Sequence, residues 1–144
     1  MLDTILVPVD GSDNSLRALD FAMELGKEHA SSIRVVHVDI PYDLSRIINK
    51  MPSKDDADKA KEVKPPSALD FAKKEAADFG YEDIKFRELI ATDAAERICE
   101  EAETVGAKMV VMGSRGSGLL VGLVMGSVSM KVSQTIKCPL TIVK

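Results

Sequence analysis

Near the start of the chain an unbroken apolar run, Ile5-Leu6-Val7-Pro8-Val9, stops at Asp10-Gly11. A helical pattern follows, and then a second apolar run, Ile33 to Val38. A short apolar run closed by a turn dipeptide reads as a buried strand. Between the two runs Leu16, Leu19, Met23 and Gly26 recur at helical spacing, with Ala18, Ala22 and Leu25 beside them. Ser12 or Asp13 can cap this helix. Strand, helix and strand in succession form a βαβ unit. Strands that are apolar on both faces belong in a parallel sheet covered by helices on both sides.

The same alternation continues. Pro65-Pro66 is expected to open a second helix with an apolar face of Ala68, Ala72, Ala76 and Phe79, flanked by Leu69 and closed by Gly80. Ile84 to Ile90 alternates apolar and charged residues, so this third strand lies near a sheet edge. Asp93 and Glu96 have the spacing of a capping box, and Ile98, Ala102 and Val105 mark the helix behind it. Lys108 to Met112 reads as a fourth strand, Val128, Val132 and Ile136 as a last helix, and Pro139 to Val143 as a last strand. Residues 53–64 interrupt the pattern, with Lys54, Lys59, Lys61 and Lys64 set among Asp55, Asp56, Asp58 and Glu62. Such a segment buries little and reads as a mobile surface loop or a solvated helix extension, with a regulatory flap as the sharper reading. No internal repeat or linker divides residues 1–144, which read as one α/β domain.

Composition narrows the function classes. The formal net charge is -4 and aromatics are 4% of 144 residues, with no Trp. A nucleic-acid partner needs a basic face and stacking platforms, so none is expected. Cys99 and Cys138 stand far apart with no metal-ligand spacing to His29 or His37. His37 falls inside the second strand with no general-base partner evident, and reads as structural. The longest apolar run, Leu119 to Met125, is far short of the roughly 20 residues that span a bilayer. It packs as core or presents a partner surface, the former being favoured by the rarity of exposed apolar patches. No signal peptide is apparent, and the expectation is a cytoplasmic protein without membrane contact.

Two segments follow strand ends, where open α/β sheets bind ligands. One is Val9-Asp10-Gly11-Ser12 after the first strand. The other is Gly113-Ser114-Arg115-Gly116 after the fourth, continued by Gly126-Ser127-Val128-Ser129 at the head of the last helix. Glycines allow a close backbone approach, successive N–H groups make an anion nest, and a helix N-terminus favours a phosphate. Ser127 and Ser129 can donate to phosphate oxygens or cap the helix, and Arg115 adds a cation. The Gly-Lys-Ser/Thr ending of a Walker loop is absent. Taken alone, these glycines could equally make only a tight turn and a close helix–sheet contact.

Together these segments resemble the universal stress protein family. The resemblance rests on Val7-Pro8-Val9-Asp10-Gly11-Ser12, Val110-Val111-Met112-Gly113-Ser114-Arg115-Gly116, Gly126-Ser127-Val128-Ser129 and the tail Cys138-Pro139-Leu140-Thr141-Ile142-Val143. The spacing from Gly113 to Gly116 to Gly126-Ser127 is similar to that of the ATP-binding branch. The resemblance implies a single-domain, open five-stranded parallel sheet in order 3-2-1-4-5 with helices on both faces. It also implies a homodimer paired through Pro139–Val143, and a site for ATP or another adenine nucleotide with Mg2+ (or Mn2+). The implied nucleotide-binding residues are Pro8, Val9, Asp10, Val38, Gly113, Arg115, Gly116, Gly126, Ser127, Val128 and Ser129. By the same resemblance Asp10 stands where the family's acid contacts ribose or a phosphate-bound metal ion, and Val38 where a backbone meets adenine; from their residue types alone, Asp10 reads equally as an Asp-Gly turn residue and Val38 as core. Met109 and Val111 read as core. Where family members often carry Gly-x-Pro, this chain has Ala91-Thr92-Asp93, so no ligand contact is assigned there. The function implied is an ATP-binding regulatory or stress-response module with an unidentified protein partner and little or no hydrolysis. A slow ATPase and a dimeric protein that binds no nucleotide are the alternatives.

Overall fold

Helices cover both faces of a parallel sheet, which is why its inner strands carry apolar residues at successive positions. The computed structural model describes residues 1–41, 65–115 and 125–144. The strands are β1 (Thr4–Pro8), β2 (Ser32–Asp39), β3 (Ile84–Ile90), β4 (Met109–Gly113) and β5 (Leu140–Val143). All pair in parallel, in the order β3-β2-β1-β4-β5. The described helices are α1 (Asp13–His29), α2 (Ala68–Phe79), α3 (Ala94–Thr104) and α4 (Ser127–Thr135).

The sheet divides the core in two. Ile5, Val7, Ile33, Val35 and Val111 meet Leu19 and Met23 of α1 and Leu69, Ala72 and Ala76 of α2. On the opposite face Leu6, Val36, Leu89, Val110 and Met112 meet Ile98, Cys99 and Ala102 of α3 and Val132 of α4. Burying a Leu, Ile or Val side chain contributes about 1.5–3 kcal/mol, so these layers hold the strand ends in place. Gly26 lets α1 lie against Tyr81, whose hydroxyl donates to the Ser31 carbonyl at 2.6 Å.

The structure decides one open expectation and corrects others. Ser12, not Asp13, caps α1, its hydroxyl oxygen accepting the Ser15 N–H. The Pro65-Pro66 pair lies before α2, which starts at Ala68 behind a capping box formed by Ser67 and Asp70. Proline cannot accept the turn-closing role that this reciprocal pair performs. Phe79 turns outward at the end of α2, its ring 6.4 Å from that of Tyr81. Val128 is likewise exposed on α4, where Ser129 and Val132 make the buried face. β4 and β5 run Met109–Gly113 and Leu140–Val143, each one residue later at its start than the apolar pattern suggests. The charged segment 53–64 and residues 119–124 of the apolar run lie outside the described residues.

Carboxyl groups meet the core in two places, one buried and one half-buried. Glu101 of α3 is 1% exposed, with its Oε1 3.0 Å from Arg87 of β3 and its Oε2 3.2 Å from Arg97. On the other face, Asp20 of α1 meets Glu75 of α2. Burial, reinforced by Glu75 and Glu24, pushes Asp20 up to about 6 from an ordinary 3.8. A carboxyl that binds its proton more tightly when folded stabilises the fold at low pH. That contribution is complete below about 3.8 and is lost as the pH rises through about 6. Asp20→Asn should therefore raise unfolding free energy at pH 7.5 by about 1 kcal/mol, after discounting for solvent screening. At pH 3, below the unfolded value, the variant and the parent should unfold at the same urea concentration.

Candidate functional site

The order of strands reverses between β1 and β4, and the loops leaving these two strands face each other there. The pairs between them, Ile5 with Met109 and Leu6 with Val110, end before Pro8. Proline has no N–H to donate, so Pro8 cannot extend the ladder toward β4, and the strand order reverses at the point where open parallel sheets form a crevice.

On one side of this crevice, Val9 donates its N–H to the Val36 carbonyl at 2.8 Å, which closes the β1–β2 ladder. Gly11 then takes φ +83, a left-handed conformation suited to glycine. Asp10 closes the turn: its Oδ1 accepts the Ser12 N–H at 3.0 Å and the Ser12 hydroxyl at 2.5 Å. The Asp10 N–H in turn donates to the Ser15 hydroxyl at 3.3 Å. This carboxylate is thus a turn former as well as an acid at a strand end, and the two readings are compatible.

β2 runs on past β1. The Val36 carbonyl accepts from β1, while the Asp39 carbonyl accepts from Ala91 beyond β3. Backbone groups alternate sides along a strand. The Val38 N–H and C=O are therefore directed to the β1 side, beyond the last β1–β2 pair at Pro8 and Val36 and Val9's bond to Val36. The Val38 side chain packs on the α3 and α4 face.

Across the crevice, Gly113 ends β4 against the first turn of α1. A Cβ there would lie 2.9 Å from the Asn14 carbonyl carbon, so the need for glycine at this position is a close approach of two backbones. Buried Ser114 follows, donating its N–H to the Val143 carbonyl of β5 at 2.8 Å. Its carbonyl accepts the Gly126 N–H at 2.6 Å and the Ser129 hydroxyl at 2.9 Å. Gly126 is the N-cap of α4 and supplies no side-chain cap, whereas Ser12, Ser67 and Asp93 cap the other described helices. Ser127 and Val128 are exposed in the first turn. Ser129 is buried and its hydroxyl bonds to backbone carbonyls, which makes it an anchor of α4. Arg115 is exposed beside Ser114, and Gly116 lies outside the described residues.

A scan of family models matches the universal stress protein family over residues 1–144. The chain belongs to that family. Among curated relatives, universal stress protein YxiE of Bacillus subtilis is 34% identical, with both chains covered in full. Universal stress protein UspA from Lactobacillus plantarum shares the fold at a TM-score of 0.76 and 19% identity, covering 99% of this chain and 98% of that one. The universal stress protein from Archaeoglobus fulgidus in complex with dAMP matches at a TM-score of 0.68 and 25% identity over 100% of both chains. A universal stress protein in complex with cAMP matches at 0.69 and 25% identity, covering 99% of this chain and 96% of that one. The five-stranded parallel sheet in order 3-2-1-4-5 is thus the universal stress protein fold.

Other groups lie apart from the crevice or are occupied. His37 has a partner that sequence reasoning missed: its Nδ1 is 2.6 Å from Glu88 Oε1, placed opposite it by the β2–β3 register. Burial pushes the Cys99 thiol up, with Cys138 adding to it, and burial also raises Cys138, so neither is primed as a nucleophile. A cleft of about 190 Å3 at the opposite end of β4 and β5 is lined by Ala107, Ile136 and Cys138, and by Glu103 and Lys137, which pair with each other at 2.8 Å. Among the described residues no group of three potential metal-binding side chains occurs. No described helix is long and apolar enough to cross a membrane.

Proposed function

We propose that this universal stress protein binds an adenine nucleotide, ATP with Mg2+ (or Mn2+), in the crevice between β1 and β4, as a regulatory module with little or no hydrolysis. The observation that carries the reading is the head of α4. Its first turn has no side-chain cap, yet its Gly126 and Ser129 are anchored to the end of β4. Free N–H groups at a fixed helix N-terminus suit phosphate oxygens. The Val38 N–H and C=O supply a donor and an acceptor, which complements one edge of adenine. Relatives of this fold in complex with cAMP and dAMP support the same ligand class.

In this reading Pro8 and Val9 shape the crevice, Gly113 and Gly116 admit the phosphates, and Arg115 adds positive charge. Ser127 and Val128 present N–H groups, and Ser129 seats the helix. Mg2+ commonly binds through phosphate oxygens, water and one or two carboxylates, and Asp10 fits that small share. We assign the protein to the cytoplasm and pair two copies through the outer edge of β5. An uncovered edge strand invites pairing, and among the described strands β5 has only β4 beside it.

Calorimetric titration with ATP and Mg2+ tests this function. Gly126 has φ -72 and ψ 166, which a β-branched residue adopts without strain. Gly126→Val is expected to fold, to melt near the parent temperature, and to bind ATP at least about tenfold more weakly, roughly 1.4 kcal/mol. Unchanged affinity in a folded Gly126→Val protein would remove the head of α4 from the site.

A further inference from the structure

The crevice has a support that the glycine pattern does not reveal. Asn14, in the first turn of α1, sits between an arginine and Ser114. Its Oδ1 accepts from the Arg17 guanidinium, whose Nε donates to the Lys144 carbonyl at 3.1 Å. Arginine is only a donor, so it fixes which way the Asn14 amide faces. Nδ2 is thereby turned to Ser114, and lies 3.4 Å from its hydroxyl oxygen. The Asn14 backbone abuts Gly113 at the same place. Ser114 is 2% exposed, and its carbonyl holds both Gly126 and Ser129. One short path therefore joins the first turn of α1 to the first turn of α4.

We infer that Asn14 is a positioning residue for the phosphate cradle: it fixes Ser114, and Ser114 fixes the N–H groups at the head of α4. The inference rests on the nucleotide reading above. It assigns the arm a selective role, for phosphate and not for the base. Val38 lies across the crevice on β2 and is untouched by Asn14, so the adenine end of a ligand is held independently.

The test compares ATP with adenosine, by competition binding, in the parent, Asn14→Ala, Ser114→Ala and the double variant. Amide hydrogen exchange at Gly126 is followed in the same unliganded proteins. Each single variant should weaken ATP about fivefold, the scale of one net hydrogen bond. The double variant should lose no more than either single, because the two groups act through one bond. Adenosine affinity should stay within about twofold of the parent, a surface-mutation effect. Exchange at Gly126 should accelerate in all variants. Equal losses for ATP and adenosine, or additive losses in the double variant, would overturn the positioning role. A parent protein that binds neither ligand would sink the nucleotide reading alone. Gly126 exchange would then decide the Asn14–Ser114 anchor: acceleration supports it, and unchanged exchange overturns it.

Discussion

Gly113→Val is expected to cost about 3 kcal/mol of stability, the upper part of the range for overpacking a close contact. It should lower the melting temperature by about 10 °C in a domain of this size. The reason is contact, not conformation. A Cβ at Gly113 would stand 2.9 Å from the Asn14 carbonyl carbon and 3.0 Å from its oxygen, and backbone in the first turn of a packed helix has no flexible end to give way. Displacing α1 also disturbs Ser114, so ATP binding should weaken in whatever protein remains folded. Gly106→Ala is the control. Gly106 has φ +64 with nothing within 4 Å, so only the left-handed penalty of about 1 kcal/mol applies. Similar losses at the two positions in urea unfolding would contradict the close-approach explanation.

Glu101→Ala should have an effect of similar size, about 3 kcal/mol, as expected for removing one member of a buried charge network. The carboxylate is buried between Arg87 and Arg97. Its removal leaves Arg97, whose side chain is 23% exposed, paired with Glu100 at 3.8 Å. Arg87 is 60% exposed and can return to water, so most of the cost falls on α3 and its cavity. Glu101→Met should be milder than Glu101→Ala, because it refills the volume without a charge. Chemical denaturation of the two variants gives the comparison, and an alanine variant as stable as the methionine variant would discount the packing part.

The strands and helices were legible because each owes its existence to a local period. Ile5 to Val9 and Ile33 to Val38 are apolar at successive positions, and Leu19, Ala22, Met23 and Gly26 return to one face of α1. The edge position of β3 was legible too, since Lys85, Arg87 and Glu88 forbid burial of both faces. What sequence could not show depends on register or on distant neighbours. Glu88 becomes the partner of His37 only when β3 lies beside β2 in one particular register. Glu101 looks like one more acid in Glu100-Glu101-Ala102-Glu103 until Arg87 is brought to it from β3. Phe79 and Val128 fit an apolar spacing and still face outward, because each lies at a helix end outside the buried positions, Phe79 after Ala76 in α2 and Val128 before Ser129 in α4.

At the candidate site, the residue types were legible and their division of labour was not. Gly113 and Gly11 look alike as loop glycines, yet one admits a neighbouring backbone and the other a positive φ. Ser129 looked like a phosphate donor, and its hydroxyl is directed to the Ser114 and Gly126 carbonyls. Ser114 itself carried no signal, because its importance lies in a backbone carbonyl that any residue possesses. A motif records where glycine is required and does not record which neighbour requires it.

Nucleotide carried through purification tests the proposed function most directly. The purified protein would be denatured, and the released small molecules identified and quantified by mass spectrometry. Adenine nucleotide in substoichiometric to equimolar amount, reloaded by ATP with Mg2+ and stabilising the fold by mass action, is the predicted result. No released nucleotide, together with no thermal shift on adding ATP and Mg2+, would contradict it and leave a stress protein that works without nucleotide.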